Sequence, residues 1–364
     1  MDTGTTVAFL VVIGARFLVP LFIPRFPLPA LLTALVLDGV DQTIFQALGY
    51  DPPGYQGYDK AMDVYYLAVA YLSTLRNWTS RPAFRVAQFL YFYRLVGVLA
   101  FELTQWRPLL LIFPNTFEYF FIAYEVVRLR RDPSRYSLRF WVVTAAAIWI
   151  FVKLPQEWWI HIAQLDFTDE LALHPALGPT IVVVLAVAAA VFWWLIRPRL
   201  SAPDWSLRIA ADPLPAEVAT WQQRAAWLAE HGRLVSAATV EKVCLVGLIS
   251  VIYGQVLPGL ETTPTGLFVG LAVLVIANAA ISLNVARGGR GTDSALVAFG
   301  LRVVLNVVLV LLARVVLGAR HLDLGAALFF VVMLSLITLL DDRYRPVQVA
   351  RLAEAGHPRA APST

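Results

Sequence analysis

Residues 177–196 read LGPTIVVVLAVAAAVFWWLI, a run without a single charged side chain. A helix rises 1.5 Å per residue, so about 20 such residues cover the roughly 30 Å hydrocarbon core of a bilayer. The pattern recurs along the chain. Apolar runs lie near 6–24, 28–48, 58–75, 83–102, 107–128, 138–155, 237–257, 265–286, 294–317 and 324–341. Together these predict an all-α, polytopic transmembrane bundle of about 11 spans. The first two runs are broken by Pro20, Pro24, Pro27 and Pro29, and they also fit a tight hairpin or a re-entrant pair.

Composition points the same way. Of 364 residues, 59% are hydrophobic and 15% charged, against about 25% charged in soluble domains. The net charge of +4 is not a nucleic-acid signal, because the arginines collect in a few loops and no basic helix face carries interleaved aromatics. The lone Cys244 excludes internal disulfides and CxxC metal sites. The first apolar run lacks a basic leader and a small-residue cleavage site, so it is expected to stay as a helix.

Basic residues set an expected topology. Arg76, Arg81 and Arg85, then Arg128, Arg130, Arg131, Arg135 and Arg139, then the loop from Arg197 to Arg233, Arg287 and Arg290, and the tail with Arg343, Arg345 and Arg351 all fit one side. The opposite loops hold Asp51, Asp166, Asp169, Glu170 and Glu261, with Arg314, Arg320 and His321 as exceptions. The positive-inside rule then puts the N-terminus outside and the C-terminus inside a plasma membrane of bacterial type. Within the loop 197–236, the stretch 215–231 spaces Val218, Trp221, Ala225 and Leu228 as an amphipathic helix on the inner surface. The tail 349–364 reads as disordered.

The two halves differ. Residues 1–172 hold 11 of the 13 tyrosines and most of the intramembrane charge, whereas 173–348 are mainly Val, Leu and Ala. In the second half Asn278, Asn284, Arg302 and Asn306 read as interhelical hydrogen-bonding groups. The first half is therefore where a site is expected. Arg16 lies in the first span, and Asp38 and Asp41 share a face of the second at i and i+3. Asp59 and Asp63 open the third at i and i+4, beside Lys60. Arg85, Arg94 and Glu102 belong to the fourth, Glu118 and Glu125 to the fifth, and Lys153 and Glu157 flank Pro155 in the sixth.

A charge at the bilayer centre costs about 2.5–3.5 kcal/mol on the insertion scale, so each needs a partner or a wet cavity. Ion pairs account for part of the set: Arg16 with Asp38 or Asp41, Arg94 with Glu118, Lys153 with Glu157. Carboxylates outnumber cations, and the surplus calls for a proton, a metal ion or a cationic substrate.

The spacing of Asp38, Asp41, Asp59 and Asp63 resembles the CDP-alcohol phosphotransferase signature D-x2-D-G-x2-A-R-x8-G-x3-D-x3-D. The resemblance covers 38–63 and implies that the four aspartates hold divalent ions, Mg²⁺ or Mn²⁺, for chemistry on a lipid-linked substrate. Gln42, Phe45, Gln46 and Tyr55 stand where that signature has glycine, alanine, arginine and glycine. With many arginines and few lysines, the chain as a whole also resembles multi-pass membrane proteins of actinobacteria, which carries no chemistry with it.

Residues 149–170, WIFVKLPQEWWIHIAQLDFTDE, read as a helix ended or kinked at Pro155. Trp158, Trp159 and His161 follow, either as an aromatic belt or as a vestibule in which a tryptophan stacks on a ligand. Two function classes follow. In the first, Arg94, Glu118, Glu125, Lys153 and Glu157 line the path of a cation- or proton-coupled transporter of a small polar substrate. In the second, the four aspartates serve a metal-dependent membrane enzyme. A scaffold subunit is the third reading. The lipid bilayer is the expected partner throughout.

Overall fold

A computed structural model describes residues 3–47, 55–165, 170, 173–191, 193–194, 202–233, 236–256 and 324–356, with isolated positions between 265 and 307. Among these every regular element is a helix. The spans expected near 265–286 and 294–317 lie almost wholly outside the described residues. So do Asp51, Asp166, Asp169, Glu261, Asn278, Asn284, Arg287, Arg290, Arg302, Asn306, Arg314, Arg320 and His321.

Eleven helices are numbered here: α1 Thr3–Leu18, α2 Pro27–Ala47, α3 Tyr55–Asn77, α4 Arg81–Thr104, α5 Pro108–Ile112, α6 Thr116–Arg128, α7 Leu138–Ile148, α8 Leu177–Val191, α9 Trp221–His231, α10 Ala237–Val256 and α11 Leu324–Gly356. Four stretches are long and apolar enough to cross a membrane: Arg81–Thr104, Pro108–Arg128, Leu138–Ile162 and Ala237–Val256. Their outward faces carry bare apolar groups, with Val143 58% and Phe151 77% exposed. Such faces suit lipid rather than water.

The prolines of the first two runs make a hairpin. Pro20 sits in a short 3-10 turn, Val19–Phe22, that continues α1. Pro27 opens α2, where a missing N–H costs nothing. Helix α3 is the axis of the core. Ala61, Tyr65, Ala68, Tyr71, Leu72 and Leu75 on it are fully buried, and it packs against α1, α2, α4, α10 and α11.

Three expectations are refined. The run 107–128 stands as a stretch of spanning length, interrupted between α5 and α6 because Pro114 lacks the N–H that would continue the ladder. Pro155 does not end the sixth run. The helix passes through Leu154–Glu157 between two π-helical stretches, Trp149–Lys153 and Trp158–Ile162. A wider turn accommodates the proline ring and its lost hydrogen bond. Finally, the start of the segment expected to be disordered is helical, since α11 runs on to Gly356. Arg351 holds it there, donating from Nε to the Arg76 carbonyl (2.5 Å) and from Nη2 to the Asp212 and Pro213 carbonyls (3.2 and 2.8 Å). Residues 357–364 lie outside the described residues.

The expected amphipathic helix forms as a 3-10 turn, Ala216–Val218, followed by α9. Thr220 and Gln223 close a reciprocal capping box at its start. Val218 packs with Val347 and Ala350 of α11.

Close packing around the α5–α6 break rests on Gly97. A Cβ there would meet Phe113 Cβ at 2.1 Å. Gly97→Ala is expected to lose about 1–3 kcal/mol through overpacking, read as a lower thermal midpoint in detergent. An unchanged midpoint would show that the contact is loose.

Candidate functional site

Arg16 stands two residues before the end of α1, and its side chain is buried. Its Nη1 donates to Asp41 and Asp59, and its Nη2 to Asp38 and, at 2.7 Å, to Asp63. Helix periodicity makes this possible. Positions i and i+3 on α2, and i and i+4 on α3, each turn two carboxylates to one side. The four aspartates grouped by spacing therefore come together, and an arginine from a third helix lies among them.

One guanidinium against four carboxylates leaves an excess of negative charge. Asp41 is as buried as Arg16, while the side chains of Asp38, Asp59 and Asp63 are 28%, 35% and 41% exposed. The cluster is thus closed on one side and reachable on the other. Oxygens of Asp38, Asp41 and Asp59 lie within 4.8 Å of one another. Oxygens grouped that closely could share one divalent cation, which Ca²⁺ and Mg²⁺ sites hold at roughly 2.0–2.6 Å. An all-oxygen donor set suits hard cations. Lys60, next to Asp59 in sequence, points elsewhere and pairs with Glu102 at 3.0 Å.

A second network collects most of the remaining candidates. The break before α6 leaves the Asn115 backbone N–H outside any helix, and it donates to Glu157 (3.1 Å). The Asn115 side chain donates to Glu118 (3.0 Å), which also accepts from Tyr66 (2.5 Å). Glu157 further meets Lys153 (3.4 Å) and His161 (3.1 Å). Arg94 donates instead to the Phe113 carbonyl (2.9 Å). It lines, with Tyr91 and Asn115, a cavity of about 20 Å³, which has room for a single water. Among the described residues the buried Tyr91 hydroxyl and Asn115 Oδ1 have no hydrogen-bond partner. A bridging water would satisfy both.

Glu125 belongs to neither group. It is fully buried and accepts from Arg128 Nε (2.6 Å) and Trp78 Nε1 (3.0 Å). Trp78 stacks on Tyr124 with ring centroids 3.7 Å apart. These two bonds fasten Glu125 to the end of α6 and to Trp78.

Sequence reading missed a third cluster, at the α10–α11 contact. Arg345 bridges Glu241 (2.9 Å) and Asp341 (2.6 Å), Lys242 pairs with Asp341 (3.7 Å) and Asp342, and Glu241 accepts from the Tyr71 hydroxyl. The signal lay at span edges, Glu241-Lys242 and Asp341-Asp342, where charges ordinarily face headgroups.

Compared with known proteins, the chain matches no family model, no curated protein and no solved structure.

Removing one partner of a buried pair costs about 3–5 kcal/mol, whereas an exposed pair contributes at most about 1 kcal/mol. Glu125→Gln, which strands the buried Arg128, is therefore expected to destabilise severely. Arg208→Gln, whose pair with Asp212 is exposed on both sides, is expected to change little. Equal losses in thermal unfolding would contradict this ranking.

Proposed function

We propose that the chain is a multi-pass plasma-membrane protein of about eleven spans, with its N-terminus outside and its C-terminus inside. In this reading it binds a cation at the Arg16 cluster and couples that binding to movement of a small polar substrate. The observation that carries the proposal is one α1 guanidinium shared by four carboxylates of α2 and α3, three of them partly exposed. Arg16 is then a tethered competitor. It neutralises the acids when no cation is bound and is released when one enters. Because acids and base sit on different helices, the exchange gives α1 two positions against α2 and α3. A ligand that favours one of two positions shifts the population between them.

Tyr66 follows Asp63 by three residues on α3 and donates to Glu118. This places the Glu118–Asn115–Glu157 network next to the exchange site. Arg94, Lys153 and Glu157 would respond to it as the substrate path.

A second reading is favoured by the 4.8 Å grouping of Asp38, Asp41 and Asp59. These residues would hold Mg²⁺ or Mn²⁺ in a membrane-embedded enzyme acting on a lipid-linked phosphate substrate. The ion would supply charge neutralisation at the phosphate, and Arg16 would stay as a further positive group beside it.

The test is thermal unfolding of the purified protein with Mn²⁺, Mg²⁺, Na⁺ or no added ion. At one hundred times its Kd a bound ion stabilises by about 2.7 kcal/mol. We expect that gain in the wild type, its loss in Asp59→Asn, and a larger gain in Arg16→Gln, where the competitor is gone. Proteoliposomes then separate the readings. Ion-driven flux supports transport, and metal-dependent consumption of a CDP-linked lipid without flux supports the enzyme. No ion response in the wild type or in Arg16→Gln sinks both and leaves a scaffold.

A further inference from the structure

A second cavity is bordered by arginines rather than by the acidic cluster. Leu21, Pro24 and Arg25 of the α1–α2 turn, Arg76 at the end of α3, residues 210–213, and Arg343 and Tyr344 of α11 enclose about 430 Å³. Small-ligand pockets span roughly 300–1,000 Å³. Three arginines from distant parts of the chain thus face one space.

Their charge is poorly balanced. The lone acidic residue in the wall, Asp212, is already paired with Arg208 at 3.3 Å. Among the described residues no carboxylate lies within ion-pairing distance of Arg25, Arg76 or Arg343. Arg76 is held in place by the Pro24 carbonyl (2.8 Å) and Asn77 Oδ1 (2.6 Å), both neutral. Arg25 lies over the Phe26 ring and Arg343 over the Tyr344 ring, at 5.6 and 6.0 Å. The Nε of Arg343 is buried with no acceptor among the described residues.

Several carbonyls of the wall are engaged. Arg128 donates to the Ala210 carbonyl (3.3 Å), and Arg351 donates to those of Asp212 and Pro213. Three guanidinium groups thus border the cavity beside one carboxylate. Arg224 of α9, nearby, is pushed below its ordinary value by burial and by the charge of Arg343. Like charges gathered around a cavity are stabilised by an anion. Planar guanidinium forks match phosphate oxygens two at a time.

We propose that this cavity binds a phosphate-bearing anion, supplied either as the headgroup of an anionic phospholipid or as a soluble phosphate compound. The inference stands independently of the cation site, since none of its residues contacts the aspartates. Bound there, the anion would tie the α1–α2 turn, the end of α3 and α11 together.

The experiment uses the full chain, delipidated in a nonionic detergent. Thermal midpoints are compared with inorganic phosphate, pyrophosphate or phosphatidylglycerol, against chloride at equal ionic strength. An upward shift is expected. Its half-saturation should weaken at least tenfold in Arg25→Gln and Arg343→Gln and stay unchanged in Arg139→Gln, which removes an exposed charge outside the cavity. The Arg25 side chain makes no hydrogen bond among the described residues, so its variant keeps the test open if Arg343→Gln is unstable. A shift with phosphatidylglycerol alone assigns the lipid, and one with phosphate or pyrophosphate assigns the soluble ligand. No shift with any of them, or a shift equal in all three variants, overturns the proposal.

Discussion

Four carboxylates and one guanidinium from three helices meet in a largely apolar bundle, and the arrangement of α1, α2 and α3 follows from that meeting. None of these side chains is tolerable alone among apolar neighbours. Arg16 without its acids would strand a cation, and the acids without Arg16 would repel one another. The contact is therefore obligatory before any question of function. Ordinary packing reinforces it, with Phe17 stacked on Tyr65 at 5.4 Å and the Tyr65 hydroxyl on the Phe17 carbonyl. One base shared by four acids differs from the closed pairing of Glu125 with Arg128 and Trp78.

Helix α3 carries charge along its length and joins three polar groups that are separate in sequence. Asp59 and Asp63 face Arg16, Tyr66 reaches Glu118, and Tyr71 reaches Glu241 beside Arg345. At its end Arg76 faces the arginine-lined cavity. Tyr66 and Tyr71 thus act as bridges: a ring that packs in the core and a hydroxyl that donates to a carboxylate. The same helix also carries Ala61, Ala68 and Ala70, whose small side chains let neighbouring helices approach.

Irregular backbone within the apolar stretches occurs where polar groups need it. The break at 113–115 frees the Asn115 N–H for Glu157, and the π-helical turns around Pro155 carry Lys153 and His161 on either side of Glu157. Non-helical or widened turns at membrane depth are tolerated where their freed groups find partners inside the protein. Pro114 and Pro155 were visible in the sequence as local disturbances. Which backbone group each would release, and which carboxylate would receive it, depended on a helix more than forty positions away in one case and on an adjacent turn in the other.

The sequence by itself determined that the chain is helical and built from apolar stretches long enough for a bilayer, because hydropathy and helix rise are local quantities. It also determined that the aspartates of 38–41 and 59–63 pair up on helix faces, since i,i+3 and i,i+4 spacing needs no partner to be read. Only the tertiary structure decided that one arginine serves all four acids, and that Glu125 is fastened apart from Glu118 although both lie on one helix face. Only it placed Arg25, Arg76 and Arg343 around one cavity. Electrostatic energy falls off with distance in space and is blind to separation along the chain, so the sites of this protein appear only where its helices meet.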